Sequence, residues 1–192
     1  MDVYLDADAC HAWSLWCARL ARGDVAILPT DTIYGLSGNA LLPRTVRRIG
    51  ALKRRRRPAT VIPHDVTWAR ALIHPRWRSR FDEAWSQHPG TTLLFPYAPD
   101  PRVPQPADEL VESGLIGLRQ PRHWVSALAR DAGVPLVSTS VNVSGRPPMT
   151  GWDDLPRAFR ERVDFCVTVG PLPGRPSALL FLDRRQPRRV DR

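Results

Sequence analysis

Three polar clusters interrupt apolar stretches of this chain and carry groups able to act on a ligand. Pro29-Thr30-Asp31-Thr32 offers two hydroxyls and a carboxylate. Lys53-Arg54-Arg55-Arg56-Arg57 offers a run of cations. Ser138-Thr139-Ser140-Val141-Asn142-Val143-Ser144 offers small hydroxyls and an amide. Arginine forks match phosphate oxygens, and a lysine adds a mobile point charge. Hydroxyls and an amide just after a strand can hold a phosphate, a metal-bridged phosphate or a ribose. Each cluster also has an ordinary reading. The cations can be a solvated or general RNA-binding face. The hydroxyls can bond their own turn, and Asp31 can cap one. Taken singly, each cluster favours the ordinary reading.

Other chemistries leave no trace. Paired acids for glycoside hydrolysis are missing, as are His-x-Glu and CxxC metal patterns. The GxxxxGK[ST] and GxGxxG phosphate loops and the nucleophile elbow are also missing. A nucleotide-binding chain of this sequence needs another cradle. The net charge of +9 suits a polyanionic partner such as a nucleotide, RNA or an anionic surface. Lys53 is the only lysine among many arginines, which marks it for attention. Cys10, Cys17 and Cys166 share no metal-ligand spacing, which suits a reducing compartment. The start of the chain lacks a signal-peptide pattern. No apolar run reaches the roughly 20 residues that span a bilayer. The expectation is a cytoplasmic protein with no membrane partner.

The elements that must position these clusters read as a mixed α/β pattern. Asp8 can cap a first helix with Ala12, Trp13, Trp16 and Leu20 on one face, ended by Gly23. The tryptophans at helical spacing read as core. Val25 to Leu28 reads as a strand, and residues 44–53 as a basic helix with Val46, Ile49 and Leu52 inward. Further strands are expected at 60–62, 91–95, 115–118, 134–137, 163–169 and 178–182. Helices are expected after Asp65, at 76–86, at 124–132 and from Asp153. Residues 96–108 should form an irregular loop, and the basic tail 184–192 should fray. With 192 residues, one domain spanning 1–192 is expected, built on a twisted mixed sheet flanked by helices, with a basic central cleft. The clusters fall at strand ends, where open α/β sheets usually bind ligands.

The order of the clusters is more specific than any one of them. Leu28-Pro29-Thr30-Asp31-Thr32-Ile33-Tyr34-Gly35-Leu36, then Leu52-Lys53-Arg54-Arg55, then Pro135-Leu136-Val137-Ser138-Thr139-Ser140-Val141-Asn142-Val143-Ser144-Gly145 resembles the YrdC-like family, the threonylcarbamoyl-AMP synthases of tRNA modification. Pro89-Gly90-Thr91-Thr92, Ile116-Gly117-Leu118-Arg119 and Gly174-Arg175-Pro176-Ser177 support the match. The resemblance implies a nucleotidyltransferase. L-threonine, bicarbonate and ATP, with Mg2+, would give threonylcarbamoyl-AMP and pyrophosphate. Partner proteins would then modify adenosine 37 of tRNAs reading codons that start with A. It further implies that Lys53, Arg55, Ser140 and Asn142 face the ATP phosphates and the reacting carbamate. Thr32, Arg119, Ser138 and Ser177 would hold the threonine. Two departures stand out: Arg54 replaces the family's glycine after Lys53, and the following loop is shorter.

Such a reaction needs no protein nucleophile, only positioning and neutralisation of negative charge. Two other readings compete. One is a non-catalytic module of the same fold binding double-stranded RNA or tRNA. The other is a carbamoyl-transfer domain of a larger enzyme. Clustered arginine alone would serve RNA, whereas Thr32, Lys53, Arg55, Ser140 and Asn142 together favour synthesis.

Overall fold

The computed structural model describes residues 1–53, 59–143 and 145–191. In chain order the elements are β1 (Asp2–Leu5), α1 (Ala9–Arg22), β2 (Ala26–Leu28), β3 (Gly35–Asn39), α2 (Pro43–Lys53), β4 (Thr60–Ile62), α3 (Val66–Ala71) and α4 (Arg78–Gln87). There follow β5 (Thr92–Pro96), β6 (Val111–Glu112), β7 (Leu115–Arg119), α5 (Val125–Asp131), β8 (Leu136–Ser140), α6 (Arg157–Arg160), β9 (Phe165–Thr168), β10 (Leu179–Phe181) and β11 (Arg188–Val190). The strands form one mixed sheet in the order β1-β9-β2-β3-β8-β4-β7-β5-β10-β11, with β6 on β7. β2 runs parallel to β9 and antiparallel to β3, and β4 runs parallel to β7 and antiparallel to β8. This is the expected α/β architecture.

Local chemistry explains most of the boundaries. Gly23 takes a left-handed φ of 106° and its N–H closes α1 on the carbonyls of Arg19 and Leu20, a conformation glycine adopts without steric cost. Asp65 caps α3, accepting from the N–H groups of Thr67 and Trp68 at 3.2 and 3.0 Å. Asp8 does not cap α1. Its carboxylate instead accepts from the Leu5 N–H at 2.7 Å and ties the preceding turn.

The structure adds strands where composition speaks against them. β3 contains Gly35, Ser37, Gly38 and Asn39, residues of low strand propensity, yet it lies in mid-sheet between β2 and β8. Close approach explains the glycines. A Cβ on Gly35 would lie 2.5 Å from Ser138 Oγ, and one on Gly38 2.5 Å from Thr45 Cγ2. β8 continues through Ser138 and Ser140, so these hydroxyls sit within a strand rather than in a loop after it. The tail is not frayed over 188–190, where β11 pairs antiparallel with β10.

The two faces of the sheet differ. One packs Leu36, Val61, Leu93, Leu118 and Val137 into the larger core with α2, α3 and α4. The other packs Ala26, Leu28, Ile62, Leu136 and Phe165 beneath Trp16 and Leu20 of α1 and Val125 and Leu128 of α5. Trp16 and Leu20 are wholly buried, so the tryptophan stripe is core as expected. Each such side chain contributes roughly 1.5–3 kcal/mol by leaving water. Along β8 and β4 this second face changes character: Leu136 and Ile62 are apolar, whereas Ser138, Ser140 and Thr60 are polar. That change marks the cleft.

Candidate functional site

The cleft is built from strand register. Opposed residues share a face, so Ser37, Ser138 and Thr60 point one way, together with Gly35 and Ser140. Two strands further on, Thr92 opposes Arg119. A cavity of about 240 Å³ lies against this face, lined among others by Thr32, Gly35, Thr60, Arg119, Ser138 and Ser177. The site therefore lies on the sheet's face, beneath the Pro29–Thr32 loop, and not only at strand ends. Glycine at 35 leaves the floor open beside Ser138 Oγ.

One wall joins two distant motifs. Lys53 ends α2, where a cation suits the carbonyl end of the helix dipole. It is 8% exposed. Its ammonium donates to the Ser140 carbonyl at 2.5 Å, to Ser140 Oγ at 3.2 Å and to Asn142 Oδ1. Ser140 Oγ also donates to Asn142 Oδ1 at 2.7 Å, and Asn142 Nδ2 donates to the Arg146 carbonyl. Arg55, the fourth member expected on this wall, lies outside the described residues.

The opposite wall is centred on Arg119, which is 6% exposed. Its Nε donates to the Gly90 carbonyl at 2.8 Å, and one terminal nitrogen donates to Asp31 Oδ1 at 2.6 Å and Thr32 Oγ1 at 3.2 Å. Burial lowers the Arg119 pKa from its usual range, and the Asp31 carboxylate opposes that shift. Asp31 also accepts from the Arg122 N–H at 3.0 Å, so one carboxylate ties its loop to both the end of β7 and the turn after it. Thr92 Oγ1 lies 3.0 Å from Ser177 Oγ and 3.5 Å from Thr60 Oγ1, a row of hydroxyls from β4 and β5 to the segment just before β10. His123, beside this wall, has its pKa lowered by burial, with Asp31 and Asp6 pulling the other way and Arg119 adding to the decrease.

Sequence reading had placed Thr32, Lys53, Arg119, Ser138, Ser140, Asn142 and Ser177 at a common site. The structure brings all seven to one cleft. It adds Asp31, Thr60, Thr92 and Gly35. Asp31 reads from sequence as a carboxylate beside two threonines whose ordinary role is a turn cap, and its pairing with Arg119 is hidden because the partner lies 88 residues away. Thr60 and Thr92 resembled ordinary strand threonines. The arrangement collects hydroxyls, an amide, an ammonium and a guanidinium around a small cavity, which suits holding anions and polar groups in a fixed geometry.

Comparison with known proteins identifies the family of this chain. The model of the Sua5, YciO and YrdC family, described as "Telomere recombination", matches residues 18–190. The chain belongs to this family. A threonylcarbamoyl-AMP synthase of Bacillus subtilis is 31% identical over 163 residues, covering 80% of this chain. The chain spans about half of that relative, since the match covers 45% of it. Another such synthase, from Dichelobacter nodosus, is 31% identical over 175 residues and 88% of each chain is covered. In fold, the chain is similar to the P. abyssi Sua5 structure complexed with L-threonine. The TM-score is 0.81 at 21% identity, over 97% of this chain and 55% of that one. Membership in the family relates the chain to nucleotidyltransferases with tRNA-related roles. Among the described residues, no helix is long and apolar enough to cross a membrane.

Proposed function

We propose that this chain is a threonylcarbamoyl-AMP synthase, forming L-threonylcarbamoyladenylate and pyrophosphate from L-threonine, bicarbonate and ATP. The observation that carries the reading is the junction of Lys53 with Ser140 and Asn142, alongside a small cavity holding Arg119 and Thr32. Relatives bearing that name, one matched over 88% of its length, support it.

In this reading the threonine occupies the cavity. About 240 Å³ is below the roughly 300 Å³ at which drug-sized pockets begin, and fits a small amino acid. Arg119, oriented by Asp31 and the Gly90 carbonyl, pairs with the substrate carboxylate. Thr32, Ser138 and Ser177 bond its polar atoms. ATP lies toward Lys53, Ser140 and Asn142, with Arg55 as a further cation. The threonine amine bonds the bicarbonate carbon as a C–O bond of bicarbonate breaks, giving a carbamate and water. One carbamate oxygen then bonds the α-phosphorus as the bond to pyrophosphate breaks. Lys53 offsets the charge that gathers on the phosphate oxygens, and the Ser140 hydroxyl and Asn142 amide beside it on the same wall hold the nucleotide in line.

Among the described residues, no group of three His, Cys, Asp or Glu could hold a metal ion. The oxygens of Ser140 and Asn142 instead suit Mg2+ that arrives on ATP and keeps phosphate and water ligands. Bound there, the ion would shield phosphate charge. The product would pass to partner proteins that modify adenosine 37 of tRNAs reading codons that start with A.

The test is pyrophosphate release by the purified chain, with mass-spectrometric detection of the adenylate. Release that requires threonine, bicarbonate, Mg2+ and ATP together supports the reading. Release independent of threonine, or none, overturns it.

A further inference from the structure

Thr60 lines the cleft but lies outside the ordered motifs that mark the family. It stands on β4 directly opposite Ser138 of β8. Opposed residues of an antiparallel pair hold their Cβ atoms about 4.5–5.5 Å apart. Both residues line the cavity. Among the described residues the two hydroxyls do not bond each other, and Ser138 Oγ has no other hydrogen-bond partner. Thr60 Oγ1 reaches Thr92 Oγ1 at 3.5 Å, too long for a strong hydrogen bond.

That contact crosses a whole strand. β7 lies between β4 and β5, and Val61 pairs with Leu118 in the larger core. Thr60 therefore sits beside Gly117 on the cleft face, since side chains alternate along each strand. With no side chain at Gly117, the two threonines meet above it. A Cβ there would already lie 3.4 Å from Thr92 Cγ2. Thr92 is buried and lies 3.0 Å from Ser177 Oγ. The row of hydroxyls is thus anchored at Thr92 and ends in the cavity at Thr60.

A hydroxyl carries one proton and two acceptor lone pairs. Thr60 therefore keeps bonding capacity toward the cavity, and so does Ser138. One ligand hydroxyl fits between two such groups, accepting from one and donating to the other. Neither side chain carries the charge to pair with a carboxylate or an ammonium, and Arg119 serves the carboxylate. Parallel register sets Ile62 level with Arg119, so Thr60 lies about 7 Å along the sheet from that level. One small amino acid covers this span. Ile62 lines the same cavity and gives a methyl group an apolar neighbour.

We propose that Thr60 and Ser138 clasp the β-hydroxyl of the amino-acid substrate, and that Thr60 is the residue by which the cleft selects threonine over valine. The inference rests on the reaction proposed above and adds to it the residue that reads the side chain. Valine has the shape of threonine without the hydroxyl. A site built to bond a substrate hydroxyl rejects the analogue lacking it, because the site's own polar groups are left unpaired. An apolar pocket tells the two apart far less well.

The test measures Kd for L-threonine and L-valine by calorimetry, and kcat/KM for both by pyrophosphate release. It compares the whole chain with Thr60→Val, a change that keeps the side chain's shape and removes its hydroxyl. Threonine binding is expected to weaken about tenfold, the loss of one neutral hydrogen bond, while valine binding holds or tightens. The preference for threonine over valine should then fall about tenfold or more, and Thr60→Ser should keep most of it. A purely structural Thr60 would lower stability and weaken both amino acids alike. Thermal melting checks the fold, and Thr60→Ala carries the same prediction if Thr60→Val does not fold. An unchanged preference, or equal loss for both amino acids, overturns the assignment. A preference that falls in binding, with no pyrophosphate released by the parent chain, supports the assignment and overturns the reaction. A parent chain that binds neither amino acid overturns both.

Discussion

Asp31 and Arg119, 88 residues apart in sequence, meet at 2.6 Å in the wall of the cleft. The arginine is almost wholly buried, and the same carboxylate accepts from the Arg122 N–H. A buried guanidinium without this partner would carry an uncompensated charge. The carboxylate therefore fixes where the rest of the guanidinium points. Replacing Asp31 by Asn keeps the shape and removes the charge. We expect the KM for threonine to rise about 10- to 100-fold, in line with roughly 1.5–3 kcal/mol for a charged hydrogen bond. The KM for ATP should change little. Steady-state pyrophosphate release at varied threonine and ATP separates the two, and an equal rise in both would make Asp31 merely structural.

Lys53 should matter through its charge and its size together. Lys53→Ala is expected to lower turnover about 10²- to 10³-fold, the usual loss when a positioned donor to developing charge is removed. Lys53→Arg should not restore it. The ammonium fits among the Ser140 carbonyl, Ser140 Oγ and Asn142 Oδ1, and a planar fork does not reproduce that point contact. Single-turnover kinetics with ATP in excess measures the chemical step directly.

Gly35 leaves space that the cleft needs. A methyl group there would stand 2.5 Å from Ser138 Oγ, so the serine side chain must turn away or the strands must give to admit it. Gly35→Ala is expected to lower stability by about 1–3 kcal/mol, typical of overpacking, and to weaken threonine binding. Adding Ser138→Ala removes the clashing oxygen and should recover much of the stability. Denaturant melts of the two single variants and the double variant form the cycle that measures this coupling.

Stability should fall on mild acidification. Burial lowers the pKa values of His64 and His123 below the ordinary 6.5. The folded chain thus binds fewer protons than the unfolded chain as pH falls through 6.5 toward the folded values. Stability is fully present above 6.5 and declines below it. Asp24, Asp131 and Asp154 have lowered pKa values and act only at lower pH, around and below the usual 3.8. A thermal melt series from pH 7 to pH 5 should show the decline. A His64→Asn, His123→Asn variant should show a flatter profile over that interval.

Local patterning determined much of this protein. The spacing of Trp16 and Leu20, the left-handed Gly23 and the Asp65 cap fix helix ends and faces through interactions within a few residues. The ordered motifs around Thr32, Lys53 and Ser140 named the family, because residue order is itself a sequence property. β3 was hidden, since its glycines and polar residues oppose strand formation and only close packing on Ser138 and Thr45 explains them. β11 was hidden too, because a short basic segment becomes a strand only where β10 offers an edge. Tertiary structure alone decided which polar residues meet. Asp31 finds Arg119 and Thr92 finds Ser177 across 88 and 85 residues, through strand register that no local pattern encodes. It also decided where the charge lies, since matching an arginine to a carboxylate depends on neighbours in space.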